Sequence, residues 1–364
     1  MWHHPAVKSH EVAELFDQAV QRLRGVVESG DSDDGATPAC AAPPSGDSDD
    51  GSDLIRRAAD SGAEAVGLAV GKLSDPDRVV RAAACDLLGA TSSLHMDVRE
   101  EVATALIRLA AHESDPEVHW SIARALGDTF DARALPTLVA LAGSPDSDVR
   151  FQVAVAVPAV LDDPPVAAGE AVLIDLCTDS DPQVREWATF GLGFVSTADG
   201  GAVRQALWDR TQDTRPAVRA EGARGLARRR DPRALPLVRD LLVQDEVHTL
   251  TFRAAAYLGD PSLLPLLDGF DPGVDAVAEA LRECDPLLRA QRDESAWLLL
   301  EAVHRRRPDL EVAVFGERCD LGLYLDVTDG ADLSGHWWVD GLLRRAGNDP
   351  ERAADLVIAD VTPA

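Results

Sequence analysis

Aromatic rings are scarce in this sequence, which holds seven Trp, eight Phe and two Tyr, 5% of 364 residues. Sandwiches and barrels draw heavily on aromatic and β-branched residues. The apolar 46% here leans on Ala, Leu and Val, which favour closely packed helices. Basic charge is scarce too. Lys and Arg number 35 against 63 Asp and Glu, a formal charge of −28. Such a surface repels phosphate backbones and anionic lipid, which disfavours general nucleic-acid or membrane binding. No apolar run reaches the length of a bilayer span, and Met1-Trp2-His3-His4-Pro5 lacks a signal-peptide pattern. The five cysteines (Cys40, Cys85, Cys177, Cys284 and Cys319) are scattered without a Cys-x-x-Cys. They read as reduced thiols of a cytoplasmic protein.

Chemical signatures are missing as well. The chain has no Gly-x-Ser-x-Gly, no phosphate loop and no His-Glu-x-x-His. His3, His4 and His10 read as part of a tail. The expectation is therefore no catalytic residue, no metal site and no cofactor. Two copies of Gly-Asp-Ser-Asp-Asp-Gly, starting at Gly30 and Gly46, invite comparison with calcium loops. Their third acid is adjacent instead of alternate, and Ala42 and Ala58 stand where an EF-hand needs Glu.

What is present falls into four stretches. Residues 1–29 carry an amphipathic helix marked by Val12, Leu15, Phe16, Ala19, Leu23 and Val26. Residues 30–52 are an acidic Gly/Ser/Pro-rich linker that cannot form a core. Residues 53–285 repeat, and residues 286–364 depart from the repeat. In that last stretch, Ser295 to Val303 reads as a helix. Glu311–Phe315 and Leu321–Val327 read as two strands, and Trp337, Trp338, Leu342 and Leu343 as a further amphipathic helix. The expectation is a terminal cap holding a small β-hairpin.

The repeat is set by Val80, Val118, Val149, Val184 and Val218, at intervals of 38, 31, 35 and 34 residues. Four positions on stand Ala84, Ile122, Val153, Ala188 and Gly222, and eight positions on Leu88, Leu126, Val157, Leu192 and Leu226. These offsets form one stripe of a helix, so each unit buries the same face. Two looser units follow at Leu250, Ala254, Tyr257 and Leu258, and at Val274, Ala278 and Leu281. Asp75-Pro76, Asp115-Pro116 and Asp181-Pro182 place a capping carboxylate and a first-turn proline before these helices. Runs such as Ala134–Leu141 and Ala234–Leu241 supply a preceding helix. Paired helices at this period, without strand alternation, predict an all-α fold, an α-solenoid.

Asp181-Pro182-Gln183-Val184-Arg185 followed by Gly191-Leu192-Gly193 resembles a HEAT repeat of the short bacterial type first noted in phycobilisome lyases. So do Ser114–Val118 with Ala125-Leu126-Gly127, and Asp231–Pro236. The resemblance covers about residues 60–283. It implies a charge ladder between units in which Arg81, Arg150, Arg185 and Arg219 meet the acids before the second helices, Asp146 or Asp148 and Asp181. His119 interrupts that ladder. The resemblance also implies that the second helix of each pair lines the concave side of a superhelix.

At about 100° per residue, offsets 2 and 6 point away from the buried stripe, and offset 3 is intermediate. There stand Trp120, Arg124, Phe151, Glu186, Trp187, Phe190, Arg224 and Phe252. Trp, Phe and Arg are the residues that interface cores favour. The reading that follows is a non-catalytic adaptor whose groove binds a basic protein or peptide. An immunity- or inhibitor-type protein neutralising a basic toxin such as a nuclease is the alternative suggested by the charge. The resemblance adds a bilin-lyase-like enzyme, though no residue here demands a tetrapyrrole.

Overall fold

The computed structural model describes residues 9–29, 51–162, 166–316, 321–330 and 332–361. The linker from 30 to 50, the first copy of the acidic motif and most of the second, His3, His4, Cys40 and Cys319 lie outside the described residues. The fold is all-α apart from one small sheet, and the chain divides after Ala198 into two compact units.

The first unit comprises α1 (Ser9–Ser29), α2 (Ser52–Ala59), α3 (Ala63–Lys72), α4 (Arg78–Leu94), α5 (Arg99–Ala110), α6 (Pro116–Asp128), α7 (Leu135–Leu141), α8 (Ser147–Ala156), α9 (Ala167–Leu176) and α10 (Pro182–Phe190). The helices α4, α6, α8 and α10 lie side by side in that order, each packed on its predecessor in the chain. Their starts are fixed by carboxylates. Asp77, Asp115, Asp146 and Asp181 each accept from backbone N–H groups of the first turn, which satisfies donors the helix leaves open. Asp77 caps α4, two residues later than Asp75-Pro76 suggests, because Asp75 instead accepts from the Asp77 N–H at 2.9 Å. Packed on α2, α3 and α4, α1 covers the start of the array with Val12, Leu15, Phe16 and Ala19 buried.

The repeating stripe is the core. Val118, Val149 and Val184, Ile122, Val153 and Ala188, and Leu126, Val157 and Leu192 are all 0% exposed. Burying one such Leu or Val contributes about 1.5–3 kcal/mol, so the identical rungs account for the regular stacking.

The second unit continues with α11 (Gly201–Arg210), α12 (Pro216–Arg228), α13 (Ala234–Leu242), α14 (Thr249–Leu258), α15 (Leu264–Leu267) and α16 (Asp275–Cys284). Here α12 packs on α14 and α14 on α16. The two looser units are out of register with the sequence reading. In α14, Ala254 is 0% exposed as the reading expects, but Thr251 and Ala255 are buried too, at 1% and 0%, while Leu250 and Leu258 are half-buried. In α16 the buried residues are Ala276, Val277, Ala280 and Cys284, and Val274 is the exposed residue before the helix. Each stripe starts later than expected, because Leu250 and Val274 are apolar residues at helix starts and not rungs.

The chain ends in α17 (Pro286–Arg306), an antiparallel sheet of order β1-β2-β3, α18 (Val339–Arg345) and α19 (Pro350–Val361). As expected, β1 is Glu311–Phe315, while β2 (Tyr324–Asp329) starts three residues late. β3 (Asp332–Trp338) was not anticipated, and it corrects the expected helix: Trp337 and Trp338 are strand residues, and the helix begins at Val339. Leu325 pairs with Trp337 and Tyr324 with Trp338, and Gly330, at φ 63°, turns the chain between the strands. Leu299, Val303, Leu325, Val327, Leu342, Ala353 and Val357 form a core of this region's own.

Candidate interaction face and the ladder beside it

Four aromatic rings form a connected run on α8 and α10. Phe151 meets Trp187 edge-on at 5.9 Å between centroids, Trp187 meets Phe190 at 5.4 Å, and Phe190 meets Phe194 at 5.5 Å. All four are half-buried. Phe194 follows α10, where the helix widens into a π turn over Gly191–Val195 and the Ser196 N–H donates to the Gly191 carbonyl at 2.8 Å. Edge-to-face pairs add about 0.5–1.5 kcal/mol beyond their area, so the run is a built surface. On the neighbouring α6, the Arg124 guanidinium lies 5.7 Å from the centre of the half-buried Trp120 ring.

Two acids share that place. Asp86 on α4 stands 3.9 Å from the Arg124 guanidinium. Burial raises the carboxyl pKa of Asp86 against the opposing charge of Arg124 and a Ser121 hydrogen bond. Burial raises Asp128 in the same way against Arg124. Glu186 is half-buried on α10. Phe194, Asp86 and Asp128 were not among the expected site residues. Asp86 stands at offset 6 from Val80, the offset that singles out Arg124, and Phe194 follows Phe190 by four.

The remaining two expected groove residues, in the second unit, are buried, which corrects their assignment. Arg224 has 5% of its side chain exposed and pairs with Glu221 at 2.6 Å. Its helix is rich in Ala and Gly (Ala220, Gly222, Ala223, Gly225, Ala227), and every residue from Ala220 to Ala227 is buried, so no outward face remains there. Phe252 is 6% exposed and meets Phe270 edge-on at 4.8 Å. The one-residue register slip in α14 had placed it on the wrong side.

The expected ladder is present with different acids. Arg81 Nε and Nη2 donate to the two carboxylate oxygens of Glu113 at 2.7 and 3.2 Å, and its Nη1 to the Asp75 and Pro76 carbonyls at 2.9 and 3.2 Å. Arg150 repeats the arrangement on Asp179, at 2.7 and 2.9 Å, and on the Ser144 and Pro145 carbonyls. Arg185 and Arg219 each donate to two carbonyls of their own preceding loop. The receiving acids stand five residues before the valine. Asp146 and Asp181, which the resemblance implied, are occupied as helix caps.

One rung differs. His119 Nε2 donates to the Glu113 carbonyl at 3.2 Å, and the residue five before the next valine is Ser144. A cavity of about 490 Å³ lies there, lined by His119, Leu141, Ser144 and Asp146 among others. Restoring both partners with His119→Arg and Ser144→Asp should show a favourable coupling of about 1 kcal/mol in a double-mutant cycle from urea melts. A coupling indistinguishable from zero would mean that the bidentate pairs add nothing.

Among the described residues no group of three His, Cys, Asp or Glu side chains is placed to hold a metal ion, and no helix is long and apolar enough to cross a membrane. Cys85, Cys177 and Cys284 are buried thiols and form no disulfide among the described residues.

The chain is similar to Protein YibA of Escherichia coli (strain K12), 36% identical over 97 residues, covering 27% of this chain and 34% of YibA. The aligned part thus spans about a third of that relative. The X-ray structure of the E. coli YibA protein superposes over 78% of this chain and 98% of its own, with TM-score 0.52 and 22% identity. The complex of CpcE and CpcF of phycocyanin lyase from Nostoc sp. PCC7120 covers 70% of this chain and 92% of its own, at TM-score 0.40 and 18% identity. The profile of the HEAT repeats matches residues 49–158 and 170–259. With the paired helices, the shared valine stripe and the arginine ladder, this establishes that the chain belongs to the HEAT repeat family.

Proposed function

We propose that this protein is a non-catalytic, cytoplasmic adaptor that grips a segment of a partner protein on the α6–α8–α10 face. The observation that carries this is the run Phe151-Trp187-Phe190-Phe194 beside Trp120 and Arg124. A contiguous half-buried aromatic surface in an aromatic-poor chain suits a ligand with apolar anchors. Asp86 on the adjoining α4, Asp128 on α6 and Glu186 on α10, with a chain charge of −28, favour Lys and Arg beside those anchors. The HEAT repeat fold supports the reading, since stacked helix pairs offer extended binding surfaces.

Trp120→Ala and Trp187→Ala/Phe190→Ala test it in pull-downs followed by mass spectrometry. Each should lower the affinity for the captured partner by about 30-fold or more, as anchors worth roughly 2 kcal/mol do. Trp120→Ala breaks no ring–ring contact and should keep the melting temperature. Capture undiminished in both variants defeats the assignment. The charge also supports a narrower role, inhibition of a basic toxin. That role requires this protein to suppress the activity of a cationic enzyme encoded beside it.

A further inference from the structure

A second place on the molecule, within the second unit and apart from the aromatic face, gathers positive charge. A cavity of about 580 Å³ is lined by Arg230, Tyr257, Gly259, Arg289 and Arg292, with Glu283, Asp293 and the apolar Ala256, Leu258 and Leu321. Arg292 is neutralised where it stands, bonded to both Glu283 and Asp293. Arg230 and Arg289 are not: among the described residues neither guanidinium has a hydrogen bond or an ion pair, in a chain where acids outnumber bases 63 to 35. Arg230 is exposed and Arg289 half-buried, and the two line the same cavity.

The backbone sharpens the point. The turn after α12 holds Arg230 at φ 49°, in the left-handed region. The equivalent turn after α14 has Gly259, at φ 57°, and both residues precede an aspartate that caps the next turn, Asp231 and Asp260. Glycine is the residue that this conformation favours, and a side chain there is strained. At the third such turn Phe130, at φ 51°, takes the Arg99 guanidinium against its ring at 4.7 Å, so its side chain has a partner. The Arg230 side chain has none to set against the strain. Arg289 lies across Gly259, where a β-carbon would come within 2.9 Å of its Nη1, so glycine there leaves room for the guanidinium.

We infer that the cavity between the α12–α13 turn, α14 and α17 binds a compact, multiply charged anion through the forked donors of Arg230 and Arg289, with Tyr257 and the leucines against its uncharged part. Guanidinium forks match phosphoryl and carboxyl oxygens alike. A long polyanion is excluded, because it would run out of the cavity onto the acidic surface.

Titration calorimetry of the full chain with pyrophosphate and with citrate, at constant ionic strength, tests this. At least one should bind one per chain with a Kd below about 1 mM. Pyrophosphate alone would identify a phosphoryl ligand, and citrate alone a carboxylate one. Arg289→Gln and Arg230→Gly should each weaken binding by about tenfold or more. Arg230→Gly relieves the strained turn, so its Tm should stay level or rise by about 2 °C, which separates lost binding from lost folding. Failure of both anions to bind, unchanged binding by Arg230→Gly, or a fall of several degrees in its Tm overturns the inference.

Discussion

Replacing Gly222 with alanine should destabilise the second unit by about 2–3 kcal/mol, and valine should do worse. By sequence the change looks harmless. The equivalent residues are Ala84, Ile122, Val153 and Ala188, so alanine is a consensus choice, and in a helix it is favoured over glycine by about 1 kcal/mol. The structure blocks it. A β-carbon at Gly222 would stand 2.7 Å from the Leu207 carbonyl oxygen, 3.1 Å from the Thr211 nitrogen and 3.3 Å from the Arg210 carbonyl carbon. All three are main-chain atoms of α11 and its end, so no rotamer change can clear them, and α11 has to move away from α12. Gly67 on α3 is the control, since nothing lies within 4 Å of the β-carbon it would gain. There alanine should add up to about 1 kcal/mol. Urea or thermal melts of the two single variants, with shifts of opposite sign, check the prediction. A Gly222→Ala protein as stable as the parent would show that α11 and α12 are not seated that closely.

Gly222 also illustrates what the sequence makes legible. The stripe of Val, Ala and Leu at offsets 0, 4 and 8 is a local, periodic signal, and it located five helix faces that are buried as expected. The outward offsets of the first unit hold Trp120, Phe151, Trp187 and Phe190, all half-buried, the last three in ring contact with one another. The stripe failed where packing is set by neighbours. In α12 small residues let α11 seat closely at Gly222, and Arg224, outward by offset, is buried with the rest of its helix. Phe252 reads as outward because α14 lacks the valine that fixes register, so the count starts from Leu250. The ladder acids Glu113 and Asp179 both stand five residues before the valine, a position that also carries Asp75 and Asp213. The cap position three before it carries an acid just as often, as Asp77, Asp115, Asp146 and Asp181, and only the geometry tells a carboxylate bonded to an arginine from one bonded to a helix start. Asp329-Gly330 was the missed sign of the second hairpin, and with it of β3 and the strand placement of Trp337 and Trp338.

The largest pH effect should come from the Arg81–Glu113 rung. Glu113 is a poor candidate for charge by burial alone, since desolvation pushes its pKa up. The Arg81 hydrogen bonds and the N–H groups of Ser114 and Asp115, at 2.9 and 3.0 Å, outweigh this and bring it down from 4.5 to about 2. Only 6% of its side chain is exposed, so solvent screens the pair little. A carboxyl group whose folded pKa lies below its unfolded one stabilises the fold above the unfolded value, and that contribution drains away as pH falls towards the folded value. The window here runs from about pH 5 to about pH 2, and its depth is roughly 3 kcal/mol at 1.36 kcal/mol per unit. Asp86 and Asp128 act in the opposite sense, because burial raises their pKa values and protonating them relieves the fold. The pH profile of the parent protein therefore mixes both, and the informative quantity is the difference from Glu113→Gln. At pH 7 that variant should be less stable by about 2–3 kcal/mol, since it leaves the Arg81 charge short of its partner. The gap should close as pH falls, and near pH 2 the two proteins should unfold at similar urea concentrations. A gap that stays constant from pH 7 to pH 3 would mean that Glu113 holds the loop by shape and hydrogen bonding alone, and that the charge ladder between repeats carries no stability.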